Sequence, residues 1–385
     1  MQNFDTAAVV DAGINPQRLA SLIERASKEV REGLLPAAQL ALARDGKVVV
    51  QQSFGAANDD SLFCIFSATK AITAGAVWLL LAEGRLRLDE AVVDIIPEFA
   101  SNGKDSVRVH HLLTHTAGFP HAPFRPLDWE DPERRLQRYG QWRLQWPPGS
   151  RFEYHPSSSM WVLAELIERR SGQAFVEFVR QRVLDPLGLT RFYLGLIPQQ
   201  AQSQVLPCSY VGEAMTAEEY QAMGMPVPPE TEVTEEAITS FNRPEIQAVG
   251  VPGGGGISGA AELALYHQAL LHGGLHGQQL WDAQTLANAR TVHSGDLKDP
   301  LFGKLANRGL GLIISGAQDR SYRGFGKTNS PTAFGHNGAG GQLAWVDPAS
   351  GLSLAWLTNG HDRNSVRQAR RGVAISSLAA ECCKP

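Results

Sequence analysis

Several protein classes are excluded by what this 385-residue chain has little of. It has four cysteines, Cys64, Cys208, Cys382 and Cys383. They are too few for a disulfide scaffold, and none has metal-ligand spacing. Cys64 reads as a small core residue. Cys382-Cys383-Lys384-Pro385 superficially resembles a prenylation box, but Lys384 and Pro385 do not fit one, so the segment reads as a solvated tail. Charge of one sign is also scarce: 19% of residues are charged and the net charge is -4. That balance gives no reason to expect nucleic acid or an anionic membrane as partner. Long apolar runs are absent too. The uncharged run Ala71–Ala82 falls well short of the about 20 residues that span a bilayer. Met1-Gln2-Asn3-Phe4-Asp5 has no basic or apolar leader segment, so the chain as given reads as cytoplasmic. No Gly-x-Ser-x-Gly occurs, which argues against an α/β-hydrolase nucleophile elbow. The glycines of Pro252–Gly256 lack a following Lys-Ser/Thr at phosphate-loop spacing. They read instead as a flexible hinge.

What is present is a large apolar fraction, 43%, enough for a substantial core. Pro16–Arg31 has Leu19, Leu22, Ile23 and Val30 on one helical face. Ala37–Ala43 and Lys47–Gln52 read as strands joined by Arg44-Asp45-Gly46, a hairpin signal. Residues 85–250 are mainly helical and loop-rich, with Ser157–Arg170 the clearest helix. Trp142–Pro148 and Pro226–Glu236 read as long loops over a site. Glu262–Leu271 reads as a helix. Leu310–Ile314, Gln342–Val346 and Ser353–Leu357 read as strands, and Arg363–Ala380 as a closing helix. The fold class is therefore α/β of the α+β type. An antiparallel sheet built from both chain ends is flanked by helices, and a mainly helical lobe is inserted. The expected units are 1–84 with 251–385, and 85–250, with a site at the seam.

Ser67-Ala68-Thr69-Lys70 heads the apolar run that Glu83-Gly84 ends. The spacing puts Ser67 and Lys70 on one helix face. A serine hydroxyl needs a base to become nucleophilic, and a lysine serves only when neutral. Burial and the positive end of the helix dipole both favour the neutral amine. The N–H of Ser67 would favour an oxyanion there. Tyr154, in Phe152-Glu153-Tyr154-His155-Pro156, stands at a helix entrance and reads as either a general base or a packing residue. Near two cations it would ionise more easily. Pro156 suits the first turn of the helix that follows. The glycine-rich His336-Asn337-Gly338-Ala339-Gly340-Gly341 precedes a strand. It reads either as a turn or as an edge where the N–H of Ala339 pairs with that of Ser67 as an oxyanion hole.

These residues carry a resemblance. Ser67-Ala68-Thr69-Lys70, Val109-His110-His111-Leu112-Leu113-Thr114-His115-Thr116-Ala117-Gly118, Tyr154, Gly253–Ser258 and Phe334-Gly335-His336-Asn337-Gly338 occur in the order of the serine β-lactamase and penicillin-binding-protein superfamily. The branch most resembled is the class C-like family VIII carboxylesterases, over residues 37–359. The resemblance implies that Ser67 is the acylated nucleophile, that Lys70 and Tyr154 are the bases, and that His336, Asn337, Gly338 and Ala339 line the oxyanion edge and the substrate. It implies a small-molecule ester as substrate and no cofactor. Two departures stand out. Tyr154-His155-Pro156 replaces the family's frequent Tyr-x-Asn, leaving Ser157 or Ser158 to stand in for the amide. His336-Asn337-Gly338 replaces the Lys-Thr-Gly of class C β-lactamases; Lys327-Thr328-Asn329 lacks the glycine and a following strand. Trp129 and Trp142, with Trp146, are candidates to line the acyl pocket, or are ordinary packing. His111 and His115 lie four apart, but without a third ligand they read as scaffold rather than metal site.

Overall fold

Alternating side chains build a two-faced sheet. The structure, a computed structural model, describes residues 5–225, 227 and 233–383. Met1–Phe4, Lys384-Pro385 and most of the expected loop at Pro226–Glu236 lie outside the described residues; Glu235–Thr239 is helical. Six antiparallel strands run in the order Ile313–Ile314, Phe334–Gly335, Leu343–Asp347, Leu352–Thr358, Ala37–Arg44 and Lys47–Gly55. The sheet is thus assembled from both ends of the chain. Successive residues point to opposite faces. Ala41, Ala43, Ala344, Val346, Ala355 and Leu357 face one core, shared with the helices Thr69–Ala82 and Ala260–His272. Leu40, Leu42, Leu343, Trp345, Leu354 and Trp356 face the other, against the helices Pro16–Arg31 and Ser365–Glu381. Small residues dominate the first face and large ones the second, so the helix on the first face approaches the sheet closely.

The expected strands and helices are present with shifted ends. The strand expected at Leu310–Ile314 shrinks to Ile313–Ile314. The helix expected from Ser157 runs Ser158–Ser171. The Thr69–Ala82 helix is buried on all sides from Thr69 to Leu80, as an apolar sequence without a polar face requires. The intervening 85–250 stretch is mainly short helices. Two of its short strands pair outside it: Tyr193–Leu194 with Gly256–Ser258, and Ser209–Val211 in parallel with Gly360–Asp362. The division into 1–84 with 251–385 and 85–250 is proposed on the composition of the sheet, and these two ladders cross it. Among the described residues no helix is long and apolar enough to cross a membrane.

Candidate active site

Ser67 lies in a tight turn, Phe66–Ala68, that leads into the Thr69–Ala82 helix. Phe66 has φ +45°, a left-handed conformation that bulky residues rarely adopt. Its ring is held edge-on by Phe241, at 5.6 Å, and His361, at 5.0 Å. Packing of that ring therefore sets the backbone that presents Ser67.

Lys70 is fully buried. Its Nζ is 3.0 Å from Ser67 Oγ, 2.8 Å from the Pro156 carbonyl oxygen and 2.8 Å from that of Gly253. Burial pushes its pKa down; Tyr154 opposes the shift and Arg308 adds to it. A neutral amine has two N–H groups and one lone pair. The two carbonyls take both N–H groups, which leaves the lone pair for the Ser67 hydroxyl proton. The geometry thus suits the deprotonated lysine that a Ser–Lys pair needs.

Two expectations are corrected here. Pro156 is not in the first turn of the following helix; it precedes Ser157, the N-cap, and uses its carbonyl on Lys70. The Pro252–Gly256 run is not a flexible hinge. It is buried and stitched to the Thr69–Ala82 helix: Thr73 Oγ1 donates to Pro252 O at 2.7 Å, and the Gly256 N–H donates to Thr69 Oγ1 at 2.9 Å. Glycines serve there because the backbone itself is the ligand of Lys70.

Tyr154 is half-buried and ringed by cations and imidazoles. Lys70 Nζ is 5.1 Å from its ring centroid and the Arg308 guanidinium 5.4 Å. The rings of His115 and His336 lie at 4.8 Å and 6.1 Å. His115 accepts the His155 N–H on Nδ1 at 3.2 Å. Burial, with the charges of Arg308 and Lys70 among the further causes, holds His115 well below the usual imidazole range. His336 is likewise held well down, first by burial and then by Lys70 and Arg308. Both are neutral at pH 7.

The third motif approaches the Ser67 turn by backbone. A Cβ on Gly338 would lie 2.2 Å from the Ile65 carbonyl oxygen, so only glycine lets this segment reach the turn that carries Ser67. Gln342 fixes the approach. Its Nε2 donates to Cys64 O at 3.1 Å and Thr358 O at 2.7 Å, while its backbone carbonyl accepts the Gly338 N–H at 3.0 Å. Ala339 follows Gly338 in the same segment. His336 Nδ1 is 2.9 Å from Asn337 O, and its Nε2 is buried without a partner.

Other expected site residues are placed elsewhere or are already engaged. Asn337 donates to Gly324 O at 2.9 Å and accepts the Ala344 N–H at 3.1 Å, so its amide braces the sheet edge. Trp129 and Trp142 are buried core residues of the helical segment. Trp129 packs on Trp161 at 5.2 Å and under the Arg135 guanidinium at 4.2 Å. Trp142 meets Tyr139 at 5.0 Å and donates to Pro123 O at 3.1 Å. Ser158 donates to Phe119 O at 3.0 Å, which leaves it no role as a substitute amide. Lys327-Thr328 is docked on Ser377 of the C-terminal helix. Arg308, the Gln342 clamp and the two carbonyls on Lys70 were not foreseen. Arg308 belongs to no motif, and only the fold brings it to Tyr154.

The family profile named Beta-lactamase matches residues 19–378. The chain belongs to the beta-lactamase family. Among curated relatives, this family member is 26% identical to the Escherichia coli (strain K12) protein named "Putative D-alanyl-D-alanine carboxypeptidase", over 90% of this chain and 83% of that one. It is 31% identical to esterase EstB of Burkholderia gladioli over 48% of this chain and 53% of EstB. A penicillin-binding protein homolog from Caulobacter crescentus superposes with TM-score 0.76 at 27% identity, covering 95% of this chain and 98% of the other. A family VIII carboxylesterase superposes with TM-score 0.75 at 25% identity, covering 94% and 97%. The antiparallel sheet with helices on both faces is the fold of these relatives.

Proposed function

We propose that this serine hydrolase cleaves small, uncharged, short-chain carboxylic esters through an acyl-enzyme on Ser67. The Lys70 amine, or Tyr154 beyond it, takes the hydroxyl proton as Ser67 Oγ bonds to the ester carbonyl carbon. The N–H groups of Ser67 and Ala339 hold the oxyanion. The carbon–oxygen bond to the alcohol then breaks, and the alkoxide leaves with the proton. Water attacks the acyl-enzyme with the same base, releasing the acid and restoring Ser67. No cofactor enters the scheme. The four cysteines are free thiols, which accords with a reducing cytoplasm.

The observation that carries the ester reading is the third motif. Its imidazole is neutral and its amide is tied to backbone. Neither gives a substrate carboxylate the charged, hydrogen-bonding seat that Lys-Thr-Gly would. The esterase relatives add support. A second reading, β-lactam or D-alanyl-peptide hydrolysis, draws on Arg308, a buried cation near the site, and on the relative named as a carboxypeptidase. A silent binding protein is a third, but it gives no reason to bury a lysine against a serine. The test compares kcat/KM for p-nitrophenyl butyrate and a chromogenic cephalosporin on one preparation at pH 7. Preference for the butyrate is expected; preference for the cephalosporin overturns the ester reading.

A further inference from the structure

A buried guanidinium without a carboxylate partner is costly and calls for an anion. Arg308 is 8% exposed. Its Nε and Nη1 are buried and unpartnered. Among the described residues no carboxylate lies within ion-pair distance of it, and Asp299 acts only from further away. Yet its backbone is fixed. The Arg308 N–H donates to Ser294 Oγ at 3.0 Å, and its carbonyl accepts the His293 N–H at 2.7 Å. Its side chain lies over two rings of one segment, Phe152 at 5.2 Å and Tyr154 at 5.4 Å. Of these, only Tyr154 is able to become an anion.

We propose that Arg308 is a positioning residue that stabilises the anionic form of Tyr154, so that the phenol is able to take and return the Ser67 proton. The charged and titratable groups around Tyr154 show why this falls to Arg308. Lys70 faces the ring from the nucleophile helix, but must be neutral to leave Ser67 reactive. The rings of His115 and His336 also lie beside it, and neither carries a charge at pH 7. Glu153 and His155 flank it in sequence; His155 is buried, and its pKa is lowered to about 3. Arg323 adds a second cation at longer range, repelling Arg308 without facing the phenol. Arg308 is therefore the one permanent cation against this ring among the described residues. Its pKa is lowered by burial and supported by Tyr154, and a guanidinium stays protonated throughout.

The role rests on the Ser67 nucleophile but not on the substrate, so the test uses a substrate-independent reagent. The rate of Ser67 phosphonylation by a p-nitrophenyl alkylphosphonate is followed by intact mass from pH 5 to 9. Wild type, Arg308→Lys, Arg308→Met and Tyr154→Phe are compared. In this step Ser67 Oγ bonds to phosphorus, nitrophenolate leaves, and the serine proton passes to the base. Arg308→Met is expected to slow labelling at least about 10-fold at pH 7 and to move its acidic limb to higher pH. Arg308→Lys should restore most of the rate. Arg308→Met should add little to Tyr154→Phe in the double variant. Equal limbs for wild type and a folded Arg308→Met overturn the proposal, as does full additivity with Tyr154→Phe. Should Arg308→Met not fold, Arg308→Lys decides: a rate as low as that of Tyr154→Phe, with an unmoved limb, rejects the role. Wild type that labels at Ser67 but cleaves no ester would reject the ester reading and leave this test intact.

Discussion

The carbonyl oxygen of Gly253 accepts a hydrogen bond from Lys70 Nζ at 2.8 Å, across 183 positions of sequence. With Pro156 O on the same nitrogen, this contact uses the donors of a neutral amine and aims its lone pair at Ser67. In the proposed mechanism the base is thus prepared by backbone oxygens, without a carboxylate that would hold the lysine charged.

Ser67→Ala is expected to abolish hydrolysis while leaving the fold intact, since Ser67 is part-exposed. A chromogenic ester assay with a parallel melting curve checks this. Retention of a tenth of wild-type turnover by a folded variant would refute the nucleophile.

Lys70→Ala and Tyr154→Phe should each lower kcat by about 10²-fold or more, the scale of general acid–base catalysis. The double variant should lose much less than the product if, as proposed, the two serve one proton relay. An unchanged kcat for Tyr154→Phe would return the tyrosine to a packing role.

Gly338→Ala should reduce kcat more than it raises KM. Its methyl would meet the Ile65 carbonyl and push the Ala339 segment away from Ser67. Steady-state kinetics give the answer, and wild-type kcat would show that the close approach is not needed.

Trp129→Ala and Trp142→Ala should destabilise the protein by about 3–5 kcal/mol, the cost of emptying a buried aromatic site. Chemical denaturation measures it. A selective change in acyl-chain preference with unchanged stability would contradict their placement in the core.

Acid should unfold the protein early. The pKa values of His155, His267 and His361 are lowered by burial to about 3, about 4 and about 4. The unfolded chain takes up these protons below about pH 6.5, whereas the folded chain does not. Stability is therefore full above that pH and falls progressively toward pH 4, by roughly 3 kcal/mol for a group shifted like His267. Urea midpoints across that range test the slope. His267→Asn should flatten it, and a pH-independent midpoint would count against the buried neutral imidazoles.

Much of this was legible from residue order. Short apolar runs bounded by turn formers mark the strands, and Ser67-x-x-Lys70 before an uncharged run marks a Ser–Lys pair at a buried helix. What stayed hidden depends on distant chain. The Gly253 carbonyl looks like any glycine turn until the Thr69–Ala82 helix is laid against it. Trp129 and Trp142 lie in stretches with little helical periodicity, so their burial follows from partners such as Tyr139 and Trp161. Arg308 has no local signal, because its meaning is the phenol that folding puts beside it. The two bonds of the Asn337 amide, to Gly324 and Ala344, are invisible in a motif.

The pairing of Ala38 with Thr358 also sets a timetable. At about 5–20 residues per second of synthesis, the strand Leu352–Thr358 follows Ala37–Arg44 by roughly 15–60 s. Ser67 and Lys70 emerge early, but the Ala339 edge and the last strands arrive near the end. Until then Ser67 lacks the Ala339 edge, and under the proposed acyl-enzyme mechanism a nascent chain would lack half of its oxyanion hole. The same delay leaves Ala37–Arg44 with one open side, a β edge that must be shielded while the ribosome finishes.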